Sequence, residues 1–194
     1  MLKSSDYKKV LKENVSKYGK GTGVAQILEE ARDIPRLVTN SYMAVTVTPA
    51  VVGLFRTYNL EPEPGVYEVN GTITRTEQEP AKVVGIVPAS DTLEELERAT
   101  IHGWAAHVVS GTATCEVWET AGTSFVFRRD YAEILRDAGA VTFHADPRKV
   151  LRTSPARDEW VDTIHGCGPV VGRDSKGQLV GLIMPVRPAN LVNR

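Results

Sequence analysis

Apolar residues along this chain change their spacing several times, and each change marks a structural element. Over residues 5–18, Tyr7, Val10, Leu11, Val15 and Tyr18 share one helical face while Lys8, Lys9, Lys12 and Lys17 lie mostly elsewhere, which predicts an amphipathic helix. The Gly19-Lys20-Gly21-Thr22-Gly23 segment stops it. A second helical run is predicted from Val24 to about Arg32, ending before Pro35. From Met43 to Val47 the spacing alternates as in a strand, and Thr48-Pro49 supplies an N-cap and a first-turn proline for a following helix. In that helix Val51, Leu54, Phe55 and Tyr58 form a buried stripe.

Strands dominate further on. Val66–Val69, Asn70-Gly71 and Thr72–Arg75 form the strongest short-range hairpin signal in the chain, and Lys82–Val87 adds another strand. Thr92 and Glu95 have capping-box spacing, which predicts a helix through Leu93, Leu96 and Thr100 toward Trp104, with Glu94, Glu95 and Glu97 favoured near its positive end. Thr112–Trp118 reads as a strand, Ala121-Gly122 as a turn and Ser124–Phe127 as a strand. Asp130 is placed to cap a helix with Tyr131, Ile134, Leu135 and Ala138 on one face, and Gly139 closes it. Val141–His144 continues as a strand, and Ser154-Pro155 opens a short helix containing Trp160, Val161 and Ile164. The end of the chain, Pro169 to Arg187, holds two apolar runs around Asp174-Ser175-Lys176-Gly177, a buried hairpin with Gly177 at the left-handed loop position. The strand-then-helix units 43–58 and 124–138 share their apolar spacing, which suggests an internal duplication.

Composition adds few constraints. The 194 residues are 42% hydrophobic and 24% charged, with 23 basic against 24 acidic residues and a net charge of -1, so bulk charge points to no partner. No apolar run reaches the ~20 residues of a membrane span, and the start lacks a signal-peptide core, so a cytoplasmic protein with no membrane partner is expected. Cys115 and Cys167 are too few for a disulfide framework and are expected to be reduced.

Candidate chemistry is sparse. His165-Gly166-Cys167-Gly168 sets a thiol beside a base in a glycine-rich turn, yet adjacent loop residues rarely reach the geometry of thiolate catalysis. His102 and His107 are five apart and would point to different helix faces, and no four-ligand metal set emerges; neither cofactor nor metal is expected. Gly19–Gly23 departs from a phosphate-binding loop, with Asn14 at the first glycine position and Gly21 after the lysine, and is better read as a connector.

The tail carries the most information. Leu182-Ile183-Met184-Pro185-Val186-Arg187 resembles the Val-Met-Pro-Met-Arg-Leu terminus of bacterial DNA sliding clamps: Met184, Pro185 and Arg187 match, and Val186 replaces the second methionine. The resemblance is firmest over residues 124–187, weaker over 43–87, and absent over 1–40 and 91–118. It implies an α+β, DNA-clamp-like domain of two β-α-β-β-β halves over residues 41–194, outside which the two helices predicted from periodicity make residues 1–40 an N-terminal helical extension. It also implies that helices at 49–58 and 130–138 face DNA, bringing Arg56, Arg128, Arg129 and Arg136 to its phosphates in sequence-independent contacts. Met184, Pro185, Val186 and Arg187 would form part of an apolar pocket for short peptides of replication or repair proteins. A chain with room for one such domain would encircle DNA only as a homo-oligomer, and a phage accessory or decoy factor built on this fold fits that departure. On this reading the protein is not an enzyme; the alternative is a small hydrolase or transferase with a Cys/His site near residues 144–167.

Overall fold

The computed structural model describes residues 23–31, 34–70, 72–82, 86–99, 107–110, 113–151 and 164–186. Through them run β1 (Gly23–Leu28), β2 (Leu37–Thr39), β3 (Met43–Thr46), α1 (Pro49–Arg56), β4 (Gly65–Asn70) and β5 (Thr72–Arg75). A single 3-10 turn at Ser90–Thr92 leads to β6 (Glu94–Glu95), β7 (Glu97–Arg98), β8 (His107–Ser110), β9 (Ala113–Thr120) and β10 (Thr123–Arg128). Then come α2 (Arg129–Asp137), β11 (Thr142–Ala145), β12 (Val150–Leu151), β13 (Ile164–Gly166), β14 (Val170–Arg173) and β15 (Leu179–Ile183).

The described residues form an α+β assembly of largely antiparallel sheets with two helices. One sheet has nine strands in the order β5-β4-β1-β2-β3-β15-β14-β11-β6. The other is ordered β12-β13-β10-β9-β7, with β8 also paired to β9; only β10 and β13 run parallel. A single core draws on both sheets and both helices: Ile27, Met43, Val45, Phe125, Phe127 and Phe143 meet Val51, Leu54 and Phe55 of α1 and Tyr131, Ile134 and Leu135 of α2. Trp118 closes it at one end, its ring centroid 5.3 Å from that of Phe143.

Local signals account for much of this. Pro49 stands in the first turn of α1, and Val52 donates to the Thr48 carbonyl. Ala121 (φ 47°) and Gly122 (φ 74°) are both left-handed, as a two-residue turn between β9 and β10 demands. Gly139, at φ 112°, ends α2: its N–H donates to Arg136 O and that of Ala140 to Leu135 O, the paired bonds that satisfy the last carbonyls of a helix. In the final hairpin Gly177 has φ 76°, and Asp174 Oδ1 accepts from the N–H groups of Lys176 and Gln178.

Four expectations are corrected. Residues 24–32 are not helical in their described part; Gly23–Leu28 is a strand hydrogen-bonded to β2 and β4 on both sides. Ala25 and Ile27 enter the shared core while Leu28 joins a cluster on the opposite face, an alternation that the run Val-Ala-Gln-Ile-Leu disguises as helical spacing. Residues 23–31 and 34–40 therefore belong to the nine-stranded sheet and not to a helical extension. The helix expected from Thr92 is likewise absent in its described part: Glu94–Glu95 pairs with β11 and Glu97–Arg98 with β9, so this segment crosses from one sheet to the other. Leu93 and Leu96, three apart, mimic a helical face, but Leu96 enters the shared core and Ala99 a separate cluster. Asp130 lies inside the first turn of α2, and Arg128 occupies the N-cap position. Lys82, Ile86 and Val87 lie outside any strand. The expected helices over residues 5–18 and from Ser154 lie outside the described residues.

Candidate functional site

The nine-stranded sheet has a second apolar cluster on the face away from the shared core. Leu28, Leu37, Ala44 and Leu182 are buried there, with Ile34, Ile86, Val87 and Leu179 packed against them. Beside this cluster lies a groove of about 370 Å³, near the lower end of the size range of ligand clefts. Tyr42, Ile86, Pro169, Leu182 and Met184 supply most of its apolar wall, and Gln26, Thr39 and Ser41 its polar atoms.

The turn between β2 and β3 builds one wall. Asn40 is fully buried, and its Oδ1 accepts from the N–H groups of Tyr42 (3.0 Å) and Met43 (2.9 Å). That Asx arrangement holds Ser41 at φ 73°. Thr39 Oγ1 donates to Met43 O at 2.7 Å and accepts from Ser41 N–H at 3.0 Å, so its hydroxyl is already committed within the turn.

The tail builds the opposite wall. Met184 N–H donates to Tyr42 O at 2.8 Å, tying the tail to the nine-stranded sheet, and Val186 N–H donates to Val126 O at 2.7 Å, tying it to the other. Val186 also packs on Ala99, Cys115, Val117 and Val126. Fixed from both sides, the segment presents Met184, 36% exposed, as an accessible flexible thioether on the groove. Arg187 lies outside the described residues.

The four arginines expected at phosphates all meet carboxylates. Arg56 Nε donates to Glu61 at 2.9 Å and Arg128 Nε to Asp130 at 3.0 Å. Arg129 Nε donates to Glu133 at 3.1 Å and stands 3.8 Å from Glu116. Arg136 donates through both Nη atoms to Glu116, at 3.1 and 2.6 Å, while its guanidinium lies over the rings of Trp118 and Phe143. Glu116 is only 2% exposed. Burial alone pushes its carboxyl up, but hydrogen bonds from Arg136 and Trp118 outweigh that and hold it below the ordinary glutamate value. Pairing thus leaves none of the four as an isolated cation.

The candidate thiol and imidazole chemistry is dispersed. His144 lies on β11, with Nε2 2.9 Å from Thr142 Oγ1, and desolvation together with nearby Arg173 lowers its pKa. Cys167 follows β13 of the other sheet, its backbone N–H donating to Lys149 O. Among the described residues His144 and Cys167 thus lie with different sheets, and no group of three acidic, His or Cys side chains is arranged to hold a metal ion. A second cavity, of about 490 Å³, is lined by Glu95, Glu97, Arg98, Glu119 and the β9–β10 turn. Its lining among the described residues contains no cysteine or histidine, and the Thr120 hydroxyl there donates to Glu94 at 3.1 Å.

Gln26, Thr39, Asn40, Tyr42, Ile86 and Pro169 were not expected at a site. Only Asn40-Ser41, a turn-forming pair, carried a local signal for its part in the groove. Comparison with protein-family models, curated proteins and solved structures finds no match for this chain. No helix among the described residues is long and apolar enough to cross a membrane.

Proposed function

We propose that this chain is a non-catalytic, clamp-like binding module that takes a short apolar peptide segment of a replication or repair protein into the groove walled by Met184. The observation that carries this reading is the placement of Met184. It belongs to the tail that resembles a clamp terminus, and it is an exposed large hydrophobic side chain on an apolar groove whose backbone is pinned to both sheets. Connectivity lends support: after β10 and α2 come β11 and, beyond β12 and β13 of the other sheet, β14 and β15, with β11, β14 and β15 antiparallel neighbours in one sheet and β15 paired with β3, the strand that precedes α1. These relations suit two halves of β-α-β-β type joined through their strands.

Phosphate contact is left out of the reading, because Arg56, Arg128, Arg129 and Arg136 are engaged by carboxylates of this chain. A short peptide that buries one leucine-sized side chain gains about 1.5–3 kcal/mol from burial, so isolated peptides bind weakly, on the order of 10 mM. Calorimetric titration with a blocked peptide, acetyl-Ala-Leu-Ala-amide, tests this. Saturable binding that Met184→Asp abolishes, with acetyl-Ala-Asp-Ala-amide inert, is the expected result. Equal heats for the two peptides, or binding indifferent to Met184→Asp, would remove the groove from the function.

A further inference from the structure

We infer that Gln26 sets the polar specificity of the groove, its side-chain NH2 donating to a backbone carbonyl of an uncharged docked peptide. This rests on the peptide-groove reading above. Gln26 projects from β1 to line the groove, and its Oε1 accepts the N–H of Ala81 at 2.9 Å. That bond fixes the amide's orientation, since a backbone N–H requires the oxygen and turns the nitrogen away. Among the described residues no acceptor is bonded to Gln26 Nε2.

The neighbouring Thr39 hydroxyl is already engaged by Met43 O and Ser41 N–H. Gln26 therefore supplies a directed donor beside an apolar surface. All the residues that line the groove are uncharged, so a charged anchor would lose its hydration with no countercharge to meet it. Charge complementarity accordingly selects an extended peptide that inserts a neutral apolar side chain and offers its own carbonyl to Gln26. A peptide backbone carries such an acceptor at every residue, whereas a hydrocarbon ligand carries none.

The test separates this inference from the groove reading. Gln26→Glu keeps an oxygen acceptor for Ala81 N–H but replaces the donor by a second acceptor, and Gln26→Met removes both polar atoms at similar length. The probes are acetyl-leucine methylamide, which is neutral, and leucine methylamide, which bears an ammonium group, each titrated by NMR.

The neutral probe should bind both Gln26 variants about five- to tenfold more weakly than the parent protein, and only Gln26→Glu should gain affinity for the ammonium probe. Neutral-probe affinities within twofold in both variants, with Met184→Asp still weakening binding, would overturn the role of Gln26 and keep the groove. Binding of both probes unchanged in Met184→Asp would overturn the two together.

Discussion

Arg136 of α2 and Glu116 of β9 form a two-point ion pair across 20 residues of sequence, with the carboxylate almost wholly buried and the guanidinium over two aromatic rings. The pair fixes the helix to the sheet that carries Val117 and Val126, against which the tail residue Val186 packs. It also explains why Arg136 is a poor candidate for a DNA contact. Turning it toward a phosphate would leave a buried carboxylate with a weakened set of partners.

Glu116→Gln should cost about 2 kcal/mol near neutral pH, between the values for surface pairs and for fully buried ones, because Arg136 is partly exposed. The folded-state pKa of Glu116 lies below the ordinary 4.5, so its stabilisation is present above that value and is lost as pH falls through the depressed one. Urea denaturation of the parent protein and the variant at about pH 7 and about pH 3 measures this. The gap between them should shrink in acid, and a gap that is constant or wider would refute the assignment.

Two glycines sit where Leu135 of α2 crosses the final hairpin. A Cβ on Gly181 would overlap the Ala44 carbonyl oxygen and approach Leu135 Cδ2 to 2.6 Å, whereas one on Gly172 would stand 3.1 Å from Leu135 and Ala140. Gly181→Ala should destabilise by about 2–3 kcal/mol and Gly172→Ala by about 1 kcal/mol. Denaturation midpoints test the order. Equal effects would mean that the helix is not seated on Gly181 as described.

Val186→Pro deletes the N–H that donates to Val126 O, the bond that ties the tail to the smaller sheet. We expect a loss of about 1 kcal/mol in stability and weaker binding of acetyl-Ala-Leu-Ala-amide, because the Met184 wall loses one of its two anchors. Unchanged peptide affinity in a stably folded variant would show that the second anchor is irrelevant to the groove.

Replacing Arg128 and Arg129 together by Glu tests whether these side chains contact DNA. Since both guanidiniums are already paired, fluorescence anisotropy of a labelled duplex at about 50 mM salt should show equally weak binding for the parent and the double variant. Tight, steeply salt-dependent binding by the parent that the double variant loses would restore the helices as a DNA-facing surface.

Elements whose spacing and punctuation agree were legible in the sequence. Thr48-Pro49 before Val51, Leu54 and Phe55 marked α1, Gly139 marked the end of α2, and Gly177 marked the last hairpin. Elements defined by pairing partners were not. Val24–Leu28 fits a helix or a strand until β2 and β4 flank it, and Leu93 and Leu96 mimic a helical face although the residues around them pair as β6 and β7.

The groove divides in the same way. Met184 stood out through the tail motif, but its neighbours come from across the sheet. Gln26 meets Ala81 across 55 residues, and Met184 meets Tyr42, contacts that no local pattern encodes.

The most direct test uses Met184, which lines the groove, with Met43 of the shared core as the internal comparison. Protein labelled with 13C at the methionine methyl groups gives a separate resonance for each, which can be followed during titration with acetyl-Ala-Leu-Ala-amide. If the groove is the binding site, the exposed Met184 methyl shifts along a saturable curve while the methyl of Met43, buried in the shared core, moves far less. A motionless Met184 methyl, or an unsaturable drift equal at Met184 and Met43, would contradict a peptide-binding role for this site.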